Sequence, residues 1–480
     1  MDDEIVIDRL VSDELGGNPL IKELMGAVRQ GNLCIQGQIE GEEVEKLHGD
    51  EEWFDKPIGQ FEDLIYFQRC WVLESRVAKE LRRLMVDVKP LDMEKGGSSL
   101  NQGQTDAVKK GLSNSVVCLS GGPGTGKTHA VAELVHQFQN SGGDVVVAAP
   151  TGKAALELKK RLGDVMCGTL HSLLGIRNTL DTFYLEKELS AGMIVVDECS
   201  MIDVGMWGAL LRAVKTGTRL VLVGDHDQLP PVEAGTIYGE ICSWMREKHP
   251  ERFVHLSECM RSDRAEILEM AERVKKGESI EGKPLGRVPD VKEWKESFQG
   301  PRTGAVDPKK LFEEMKNFRI LSCLREGPFG VKALNHEMVT LFSEEFREGD
   351  VWPIPVMATR TSYSLDVYNG EMGILVKHSK SLELEKDDLV YFEGRTIPAV
   401  LLPGLEWAYA ISVHKSQGSE YDRIALIVSQ GAEIFGREIL YTGITRARLS
   451  LEVYGNKEIL DLCAQKREQK LSGLRRKLEW

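Results

Sequence analysis

A glycine-rich segment ending in Lys-Thr carries the strongest chemical signal in this sequence. It reads Gly121-Gly122-Pro123-Gly124-Thr125-Gly126-Lys127-Thr128, a pattern typical of loops that bind nucleotide phosphates. Its glycines let backbone N–H groups converge on phosphate oxygens, and a following helix N-terminus adds positive potential. Lys127 is placed to reach the β- and γ-phosphates, and the Thr128 hydroxyl to bind Mg²⁺. The spacing therefore predicts a nucleoside triphosphate site.

The elements on either side of this loop support the prediction. Residues 116–120 are an apolar, β-branched run typical of a buried strand, and residues 129–140 place their apolar side chains on one helical face. An ordinary glycine-rich turn is the alternative, but it does not require a strand before it and a helix after it. Strand, loop and helix together favour the phosphate site.

Three further sets of polar residues are candidates for the chemistry of a nucleotide site. Asp197 and Glu198 end a strand, where one carboxylate suits Mg²⁺ and the other can polarise an attacking water. Gln228 lies in a segment that also follows a strand, and either contacts the γ-phosphate or belongs to a polar turn. Arg261 and Arg446 are candidates for stabilising charge on a transferring phosphate, although most arginines are solvated surface residues.

Length and composition limit the class of protein. The chain has 480 residues, too many for one ordinary core, and its 42% hydrophobic and 28% charged content is typical of a globular protein. No apolar run is long enough to span a membrane, and no signal peptide is recognisable. The nine cysteines form no C-x-x-C pair, which argues against zinc and disulfides and indicates a cytoplasmic setting.

The net charge of −14 is unevenly distributed along the chain. Residues 1–65 hold 17 acidic and 5 basic side chains, whereas residues 466–480 hold six basic and two acidic ones. Because salt screens fields beyond about 10 Å, a local basic groove is compatible with a negative total. Net charge therefore does not exclude a nucleic-acid partner.

Strand and helix signals divide the sequence into four regions. Residues 1–98 have helical periodicity around 20–28 and 64–84 and no chemical motif, which predicts a small helical N-terminal domain. From residue 99, short apolar strands alternate with amphipathic helices, which predicts parallel sheets covered by helices on both faces. The predicted strands are 116–120, 144–149, 193–197 and 218–224 in one domain (99–248), and 318–322, 356–359, 423–428 and 449–454 in a second (249–372 and 405–480). Residues 373–404 contain short β-type runs and turns and are predicted to form a small inserted β-barrel.

The ordered set of motifs resembles a superfamily 1 DNA helicase of the RecD type, the α subunit of exodeoxyribonuclease V. The likeness covers about residues 100–455. The motifs that carry it are the Q motif (100–104), Ia (149–155), Ib (169–175), II (197–201), III (224–232), the RecD-type elements 321–335 and 369–373, V (410–420) and VI (441–448). Three departures from the family pattern are Ser412 in place of Thr, Gly443 in place of Ala, and no glutamine after Arg261.

The resemblance implies an α/β fold with two RecA-like P-loop domains and ATP bound between them. The first domain would supply Lys127, Thr128, Asp197, Glu198 and Gln228, with Gln104 reading adenine. The second would supply Arg261 and Arg446, and Glu420 would contact the nucleotide. Single-stranded DNA would cross both domains, and the implied contacts are Thr151, Lys153, His171, Ser412, His414 and Lys415.

The same resemblance implies an ATP- and Mg²⁺-dependent 5′→3′ helicase that acts on DNA ends. RecB-like and RecC-like subunits are the expected partners, with the helical region 1–98 a possible docking surface. A free-standing RecD-like helicase and an ATP-gated regulatory subunit of a nuclease complex remain alternatives. Residues 176–190 lie where relatives carry a strand-separating hairpin, although an ordinary loop fits equally well.

A nuclease site is not expected on this chain. Pro289-Asp290 and Glu293-Trp294-Lys295 superficially resemble a metal-nuclease pattern. Those nucleases place the two carboxylates on different strands, and two intervening residues are too few to form a turn between strands.

Overall fold

The chain forms two compact units in the computed structural model. Unit 1 comprises Met1–His226, Pro230–Met260 and Gln469–Trp480, and unit 2 comprises Asp227–Leu229 and Arg261–Glu468. The described residues are 14–15, 17–49, 51–93, 100–178, 181–184, 187–258, 265–286, 290–298, 300–304, 306–362, 364–468 and 470–480. Within these ranges, every helix is too short or too polar to cross a lipid bilayer.

The N-terminal part of unit 1 combines helices with a small sheet. Its elements are α1 (Pro19–Arg29), β1 (Ile35–Gln36), β2 (Val44–Lys46), β3 (Ile58–Phe61), β4 (Leu64–Phe67) and α2 (Gln68–Leu84). The sheet has the order β1-β4-β3-β2, and β3 pairs antiparallel with β4 across a two-residue turn in which Glu62 has φ 53°. The prediction of a helical domain over 1–98 is therefore incomplete, because this region also contains a sheet and the apolar residues from Leu64 onward first form a strand.

A six-stranded parallel sheet forms the centre of unit 1. Its strands are β5 (Val116–Gly121), β6 (Val145–Ala149), β7 (Met166–Thr169), β8 (Met193–Val196), β9 (Arg219–Gly224) and β10 (Phe253–Leu256), in the order β10-β5-β9-β8-β6-β7. Because β10 pairs with β5, this domain extends beyond its predicted end at residue 248. A run as short as four residues gives little signal of which sheet it will join.

Helices cover both faces of this sheet, as predicted. They are α3 (Gln102–Ser113), α4 (Lys127–Asn140), α5 (Gly152–Leu162), α6 (Leu170–Leu174), α7 (Asp181–Tyr184), α8 (Val204–Ala213) and α9 (Ile237–Lys248). Alternate strand residues point into two different cores: Ile194 packs with α8 and α9, whereas its neighbour Val195 packs with α3, α4 and α5. The period-2 alternation of strand side chains produces these two layers.

The possible hairpin at 176–190 is only partly within the described residues. Residues 179, 180, 185 and 186 lie outside them. Of the rest, Asp181–Tyr184 form the single turn α7, and Leu189 makes an isolated bridge to Val214. A strand-separating role for this segment stays a prediction.

In its described residues, unit 2 contains a four-stranded parallel sheet and five α-helices. The strands are β11 (Phe318–Ser322), β17 (Ala410–Ser412), β18 (Tyr421–Val428) and β19 (Ala447–Gly455), in the order β17-β11-β18-β19. The helices are α10 (Ala265–Lys275), α11 (Pro308–Asn317), α12 (Val331–Ser343), α13 (Gly436–Ile444) and α14 (Lys457–Gln465). Leu426 packs into the core that contains α10, α13 and α14, whereas Ile427 packs against α12. This sheet is also covered on both faces.

An antiparallel sheet lies within unit 2 around the predicted barrel. Its strands are β12 (Trp352–Ala358), β13 (Met372–Lys377), β14 (Leu389–Phe392), β15 (Arg395–Pro398) and β16 (Leu405–Trp407). They pair in the order β15-β14-β13-β12-β16, which has two ends in the described part of the chain. The barrel over 373–404 is therefore not confirmed. The predicted strand 356–359 belongs to this sheet rather than to the parallel one, because β12 pairs with β13 and β16.

The described residues of the nuclease-like pattern, which exclude Pro289, lie together at one short helical segment. The Asp290 carboxylate accepts a hydrogen bond from the Lys292 N–H at the start of the 3₁₀ helix Val291–Ser297, which also contains Glu293 and Lys295. Neither carboxylate is on a strand, in contrast to the arrangement that such nucleases use.

The C-terminal segment returns to unit 1, which corrects the prediction that 405–480 belongs wholly to the second domain. It ends in α15 (Leu474–Leu478), whose Lys477 forms a fully buried ion pair with Glu74 of α2 at 2.9 Å. Tyr66 and Ser472 also donate hydrogen bonds to Glu74, and Lys477 lies 3.4 Å from the Trp71 ring centroid. Such a contact joins residues about 400 positions apart in sequence and leaves no local sequence signal.

We expect Glu74→Gln to destabilise unit 1 by about 3–5 kcal/mol, because it leaves the Lys477 cation buried without a negative partner. Burial already lowers the pKa of Lys477, and Glu74 opposes this effect. Urea unfolding monitored by tryptophan fluorescence measures the change. Arg475→Met is the matched control, since Arg475 lies on the same helix and pairs with Glu247 at an exposed site where the expected cost is below about 1 kcal/mol. Equal costs for the two variants would contradict the prediction.

Candidate active site

Two groups of residues predicted to bind nucleotide follow strands of the unit 1 sheet. The glycine-rich loop follows β5 and Asp197 follows β8, and β9 lies between these two strands in the order β5-β9-β8. In a parallel sheet, all carboxyl ends lie on one edge, which is where such sheets bind ligands. The topology therefore brings these groups to one stretch of that edge.

The glycine-rich loop needs glycine at two positions for steric reasons. Gly126 has φ 82° and stands at the N-terminus of α4. A Cβ at this position would lie 2.1 Å from Gln104 Nε2, and one at Gly121 would lie 2.8 Å from the Leu256 carbonyl oxygen. A side chain at Gly121 would therefore require backbone to move, and one at Gly126 would displace the Gln104 side chain and strain a left-handed conformation. The sequence pattern and the local packing thus require the same residues.

The polar side chains of the loop bond to its own carbonyl groups. Lys127 Nζ donates to the carbonyls of Gly121 at 2.6 Å and Gly122 at 3.1 Å, and Thr125 Oγ1 donates to Gly122 at 2.8 Å. The Lys127 ammonium is therefore held over the loop that its backbone forms, where a phosphate group would be bound.

Gln104 is built into the support of this loop. It is 1% exposed, and its Nε2 donates to the Thr125 carbonyl at 3.2 Å. Its Oε1 accepts from the Asn101 N–H at 3.1 Å, while the Asn101 side chain accepts from the Gln104 N–H, so the two residues form a capping box for α3. The structure thus places Gln104 against the loop, and reading of adenine by Gln104 stays a prediction.

The acidic pair lies at the end of β8, close to the glycine-rich loop. Burial raises the pKa of Asp197, and the Glu198 N–H, Lys127 and Arg161 oppose this rise. The Glu198 N–H donates to Asp197 Oδ1 at 2.8 Å. Glu198 has φ 53°, a conformation that is uncommon for a residue with a side chain and is found disproportionately at functional sites.

We expect Asp197→Asn to stabilise the nucleotide-free chain by about 0.5–2 kcal/mol while reducing ATP hydrolysis at least about 100-fold. The raised pKa of Asp197 means that its ionisation opposes folding, so the stability difference should vanish at acid pH and grow as the pH rises through this pKa. Thermal unfolding at several pH values and steady-state hydrolysis measure both effects. Exposed Asp164→Asn is the control, and destabilisation by Asp197→Asn at neutral pH would contradict the argument.

The predicted DNA contacts of unit 1 occupy the adjoining stretch of the same sheet edge. Thr151 and Lys153 follow β6, and His171 follows β7, the two strands beyond β8. Thr151 Oγ1 accepts from the Ala154 N–H at the start of α5, and His171 is exposed on α6. Nucleotide and DNA candidates are therefore neighbours along one edge.

Arg446 of unit 2 is held in a buried setting. It is 4% exposed, its Nε donates to the Thr442 carbonyl at 3.1 Å, and its Nη1 lies 3.5 Å from the Ser419 carbonyl. Its Nη2 is buried and has no hydrogen-bond partner among the described residues. Glu420 follows Ser419 directly, whereas Arg261 lies outside the described residues.

Gln228 belongs to a short segment of motif III that contacts motifs V and VI. Gln228 is 6% exposed, and its neighbour Leu229 donates its N–H to Thr442 Oγ1 at 2.9 Å. The Leu229 carbonyl accepts from Gln417 Nε2 at 3.3 Å. Sequence reasoning missed this contact because it joins positions about 200 residues apart.

Two polar residues near the loop also escaped the sequence analysis. Ser120 is the penultimate residue of β5 and is fully buried, and its Oγ lies 2.6 Å from Nδ1 of His226, which follows β9. The His226 ring in turn meets the His255 ring edge to face. The only sequence signal for this pair was the position of both residues at the ends of predicted strands.

The fold and this site define a P-loop protein of the α/β class, and comparisons with known proteins identify its family. The model of the AAA domain family matches residues 99–289, and that of the UvrD-like helicase C-terminal domain matches residues 407–454. Solved structures of Pif1 helicase, including that from Bacteroides bound to single-stranded DNA, cover 76% of this chain with 19% identity and a TM-score of 0.46.

Curated relatives match most of the chain. The RecBCD enzyme subunit RecD of Mycolicibacterium smegmatis is 30% identical over 465 residues, which cover 87% of this chain and 83% of the relative. The corresponding subunit of Haemophilus influenzae is 26% identical over 86% of this chain and 80% of its own length. The ATP-dependent RecD2 DNA helicase of Deinococcus radiodurans is 29% identical over 81% of this chain and 54% of its own length. The chain belongs to the RecD family of ATP-dependent DNA helicases.

Proposed function

We propose that this chain uses ATP hydrolysis to move along single-stranded DNA in the 5′→3′ direction and to separate duplex ahead of it. The observation that carries the proposal is the arrangement of one sheet edge. Nucleotide candidates follow β5 and β8, and DNA candidates follow β6 and β7, which come directly after β8 in the strand order. A structural change caused by ATP at the nucleotide site could therefore reach the DNA site through adjacent strands of one sheet.

ATP hydrolysis would use groups with distinct tasks. The loop N–H groups and Lys127 would hold the phosphates, Glu198 would orient and deprotonate the attacking water, and Gln228 would sense the γ-phosphate. Arg446 would stabilise the charge that develops on the transferred phosphate, because its buried Nη2 has an unused donor in the described residues. Gln104 and Glu420 would contact the nucleotide, and Arg261 would be a second cation from unit 2.

The residues near the loop also fit a Mg²⁺ ion. Thr128 and Asp197 supply hydroxyl and carboxylate oxygens, which are the donors that Mg²⁺ prefers. The raised pKa of Asp197 shows a carboxylate that a nearby cation would stabilise in its ionised form. When bound, Mg²⁺ would neutralise phosphate charge during hydrolysis.

The DNA would be held mainly through its phosphates. Thr151, Lys153 and His171 would grip it on unit 1, and Ser412, His414 and Lys415 would grip it on unit 2. ATP binding and hydrolysis would alternate the two grips, since nucleotide state selects between arrangements of such domains. Affinity should then fall steeply with salt and depend little on base sequence.

The chain is further proposed to act as a subunit with RecB-like and RecC-like partners at duplex DNA ends. Two relatives that are matched along at least four fifths of their own length are named as RecBCD subunits. This favours a subunit of a complex rather than a free-standing helicase. A RecD2 helicase relative supports the alternative. Purification of the tagged chain from its native host, followed by identification of stoichiometric partners, distinguishes the two.

The motor function is tested by unwinding assays on duplexes with one single-stranded tail. We expect ATP-dependent unwinding of the 5′-tailed duplex and little unwinding of the 3′-tailed one, with ATP hydrolysis stimulated by single-stranded DNA. If partners are needed, the assay uses the purified complex. Absence of DNA-stimulated hydrolysis in both preparations would overturn the motor and favour an ATP-gated regulatory subunit.

A further inference from the structure

Unit 2 contains a cavity of about 390 Å³ whose wall is rich in cations and includes an aromatic face. Lys415 at its wall is already a DNA candidate. Ser412, a second DNA candidate, also lines it, together with Arg325, Lys332, Glu406 and Trp407. Lys332 pairs with Glu326, so Arg325 and Lys415 share the carboxylate of Glu406, and the positive charge in excess attracts an anion. Trp407 adds an aromatic side chain to the wall and packs partly against the unit 2 core.

Glu406 is the acidic group of this cavity, and it is shared by two cations. Its carboxylate pairs with Lys415 Nζ and lies 3.5 Å from Arg325 Nη2. The side chains of Glu406, Lys415 and Arg325 are 23%, 31% and 59% exposed. Ion pairs this exposed contribute only about 0–1 kcal/mol, so a competing anion can replace the carboxylate.

Rigid backbone holds Glu406 at this position. It lies on β16, opposite Met357 of β12. The buried Asn335 side chain donates to the carbonyls of Trp407 at 2.8 Å and Ala410 at 2.9 Å, and it accepts from the Ala410 N–H at 2.8 Å. These bonds fix the strand on which Glu406 stands, so the carboxylate stays beside Lys415.

A tight turn places Arg325 at the rim. The Val331 and Lys332 N–H groups donate to the carbonyls of Leu324 at 3.0 Å and Arg325 at 3.2 Å. A Cβ at Gly330 would lie 2.4 Å from the Glu326 carbonyl oxygen, so only glycine fits this turn. The element 321–335, which the sequence analysis left without a role, thus supplies a cation to the cavity.

We propose that this cavity binds one phosphate of single-stranded DNA and that Glu406 is an internal counter-ion which the phosphate displaces from Lys415 and Arg325. The inference rests on the proposed function and deepens it. When the phosphate leaves, the Glu406 carboxylate pairs again with Lys415 and Arg325, so neither cation remains without an anion. Glu406 therefore weakens the grip of unit 2 on DNA and favours its release, which a motor needs at every step.

The test compares variants of the full chain for binding of a fluorescently labelled oligo(dT), measured by anisotropy without nucleotide at several salt concentrations. We expect Glu406→Gln to bind roughly fivefold more tightly than wild type, because the competing charge is gone. Glu345→Gln is the matched control. It removes a carboxylate that pairs with Lys295 at comparable exposure outside the cavity, and its affinity should equal that of wild type.

A second variant tests whether DNA enters the cavity. Arg325→Gln should weaken binding and reduce the slope of log affinity against log salt by about 0.7, the value for one phosphate contact on a single strand. Unchanged or weaker binding by Glu406→Gln, equal tightening by Glu345→Gln, or an unchanged slope for Arg325→Gln would each overturn the inference while leaving the motor function standing. Failure of wild type and every variant to bind oligo(dT) would overturn the proposed function as well.

Discussion

Lys127→Ala should reduce DNA-stimulated ATP hydrolysis by at least about 10³-fold, to the level of the background reaction. Lys127 Nζ is held over the loop carbonyls of Gly121 and Gly122, and it is the cation that would neutralise the β- and γ-phosphates. Removal of this charge weakens nucleotide binding and leaves the developing negative charge uncompensated. Steady-state hydrolysis with and without oligo(dT) measures the loss.

Binding of oligo(dT) and a control variant show whether Lys127→Ala has lost only ATP hydrolysis or has lost its folded structure. Lys127→Ala should bind oligo(dT) within about threefold of wild type, because the DNA candidates follow β6 and β7 rather than β5. Lys109→Ala, which changes an exposed lysine on α3, is the matched control and should retain full hydrolysis. Hydrolysis by Lys127→Ala within tenfold of wild type would show that the loop is not the catalytic phosphate site.

The sequence located seven of the ten parallel strands in the described residues because their signal is local, whereas the short strands β7, β10 and β17 were not predicted. Strand 318–322 was predicted with the bounds that the structure has, and 193–197 differs from β8 by one residue. Such strands are buried on both faces, so they appear as continuous β-branched runs. The loop after β5 was equally visible, since its glycines are required by contacts within a few residues and with Gln104.

The sequence did not reveal two features, one because a competing local pattern concealed it and the other because it depends on contacts between distant positions. The strands β3 and β4 flank Glu62-Asp63, a two-residue connection typical of a hairpin, but helical periodicity from Leu64 concealed them. The return of α15 to unit 1 depends on Lys477 and Glu74, which are far apart in sequence. Local pattern cannot show which of two domains a C-terminal helix joins.

In the candidate site, too, local sequence patterns predicted individual residues, whereas the contacts between distant motifs could be seen only in the structure. Glu198 was predicted from its place after a strand, but its left-handed backbone could be seen only in the structure. The contacts of Leu229 with Gln417 and Thr442 join motifs III, V and VI within unit 2. Since Gln228 precedes Leu229 and Arg446 bonds to the Thr442 carbonyl, two proposed catalytic residues share one structural support.

Arg446→Ala should lower the maximal rate of ATP hydrolysis by about 10³-fold or more while changing ATP affinity less than about threefold. The Arg446 guanidinium is fixed by bonds to the Thr442 and Ser419 carbonyls, and its Nη2 keeps a donor unused among the described residues. A fixed donor costs no reorganisation when charge develops on the transferred phosphate, so its effect appears in the rate rather than in binding. Single-turnover hydrolysis and equilibrium binding of a fluorescent ATP analogue measure the two quantities.

Arg448→Ala is the matched control for this prediction, and Arg446→Lys tests the geometry. Arg448 lies two residues further along the same motif, is 46% exposed and is 3.5 Å from Asp422, so its loss should leave hydrolysis within about twofold of wild type. Arg446→Lys keeps the charge but loses the planar fork, and it should recover less than about a tenth of the rate. Thermal unfolding shows whether unit 2 remains folded in each variant. If folded Arg446→Ala loses ATP affinity and maximal rate in equal measure, Arg446 binds nucleotide in the ground state and is not the transition-state arginine.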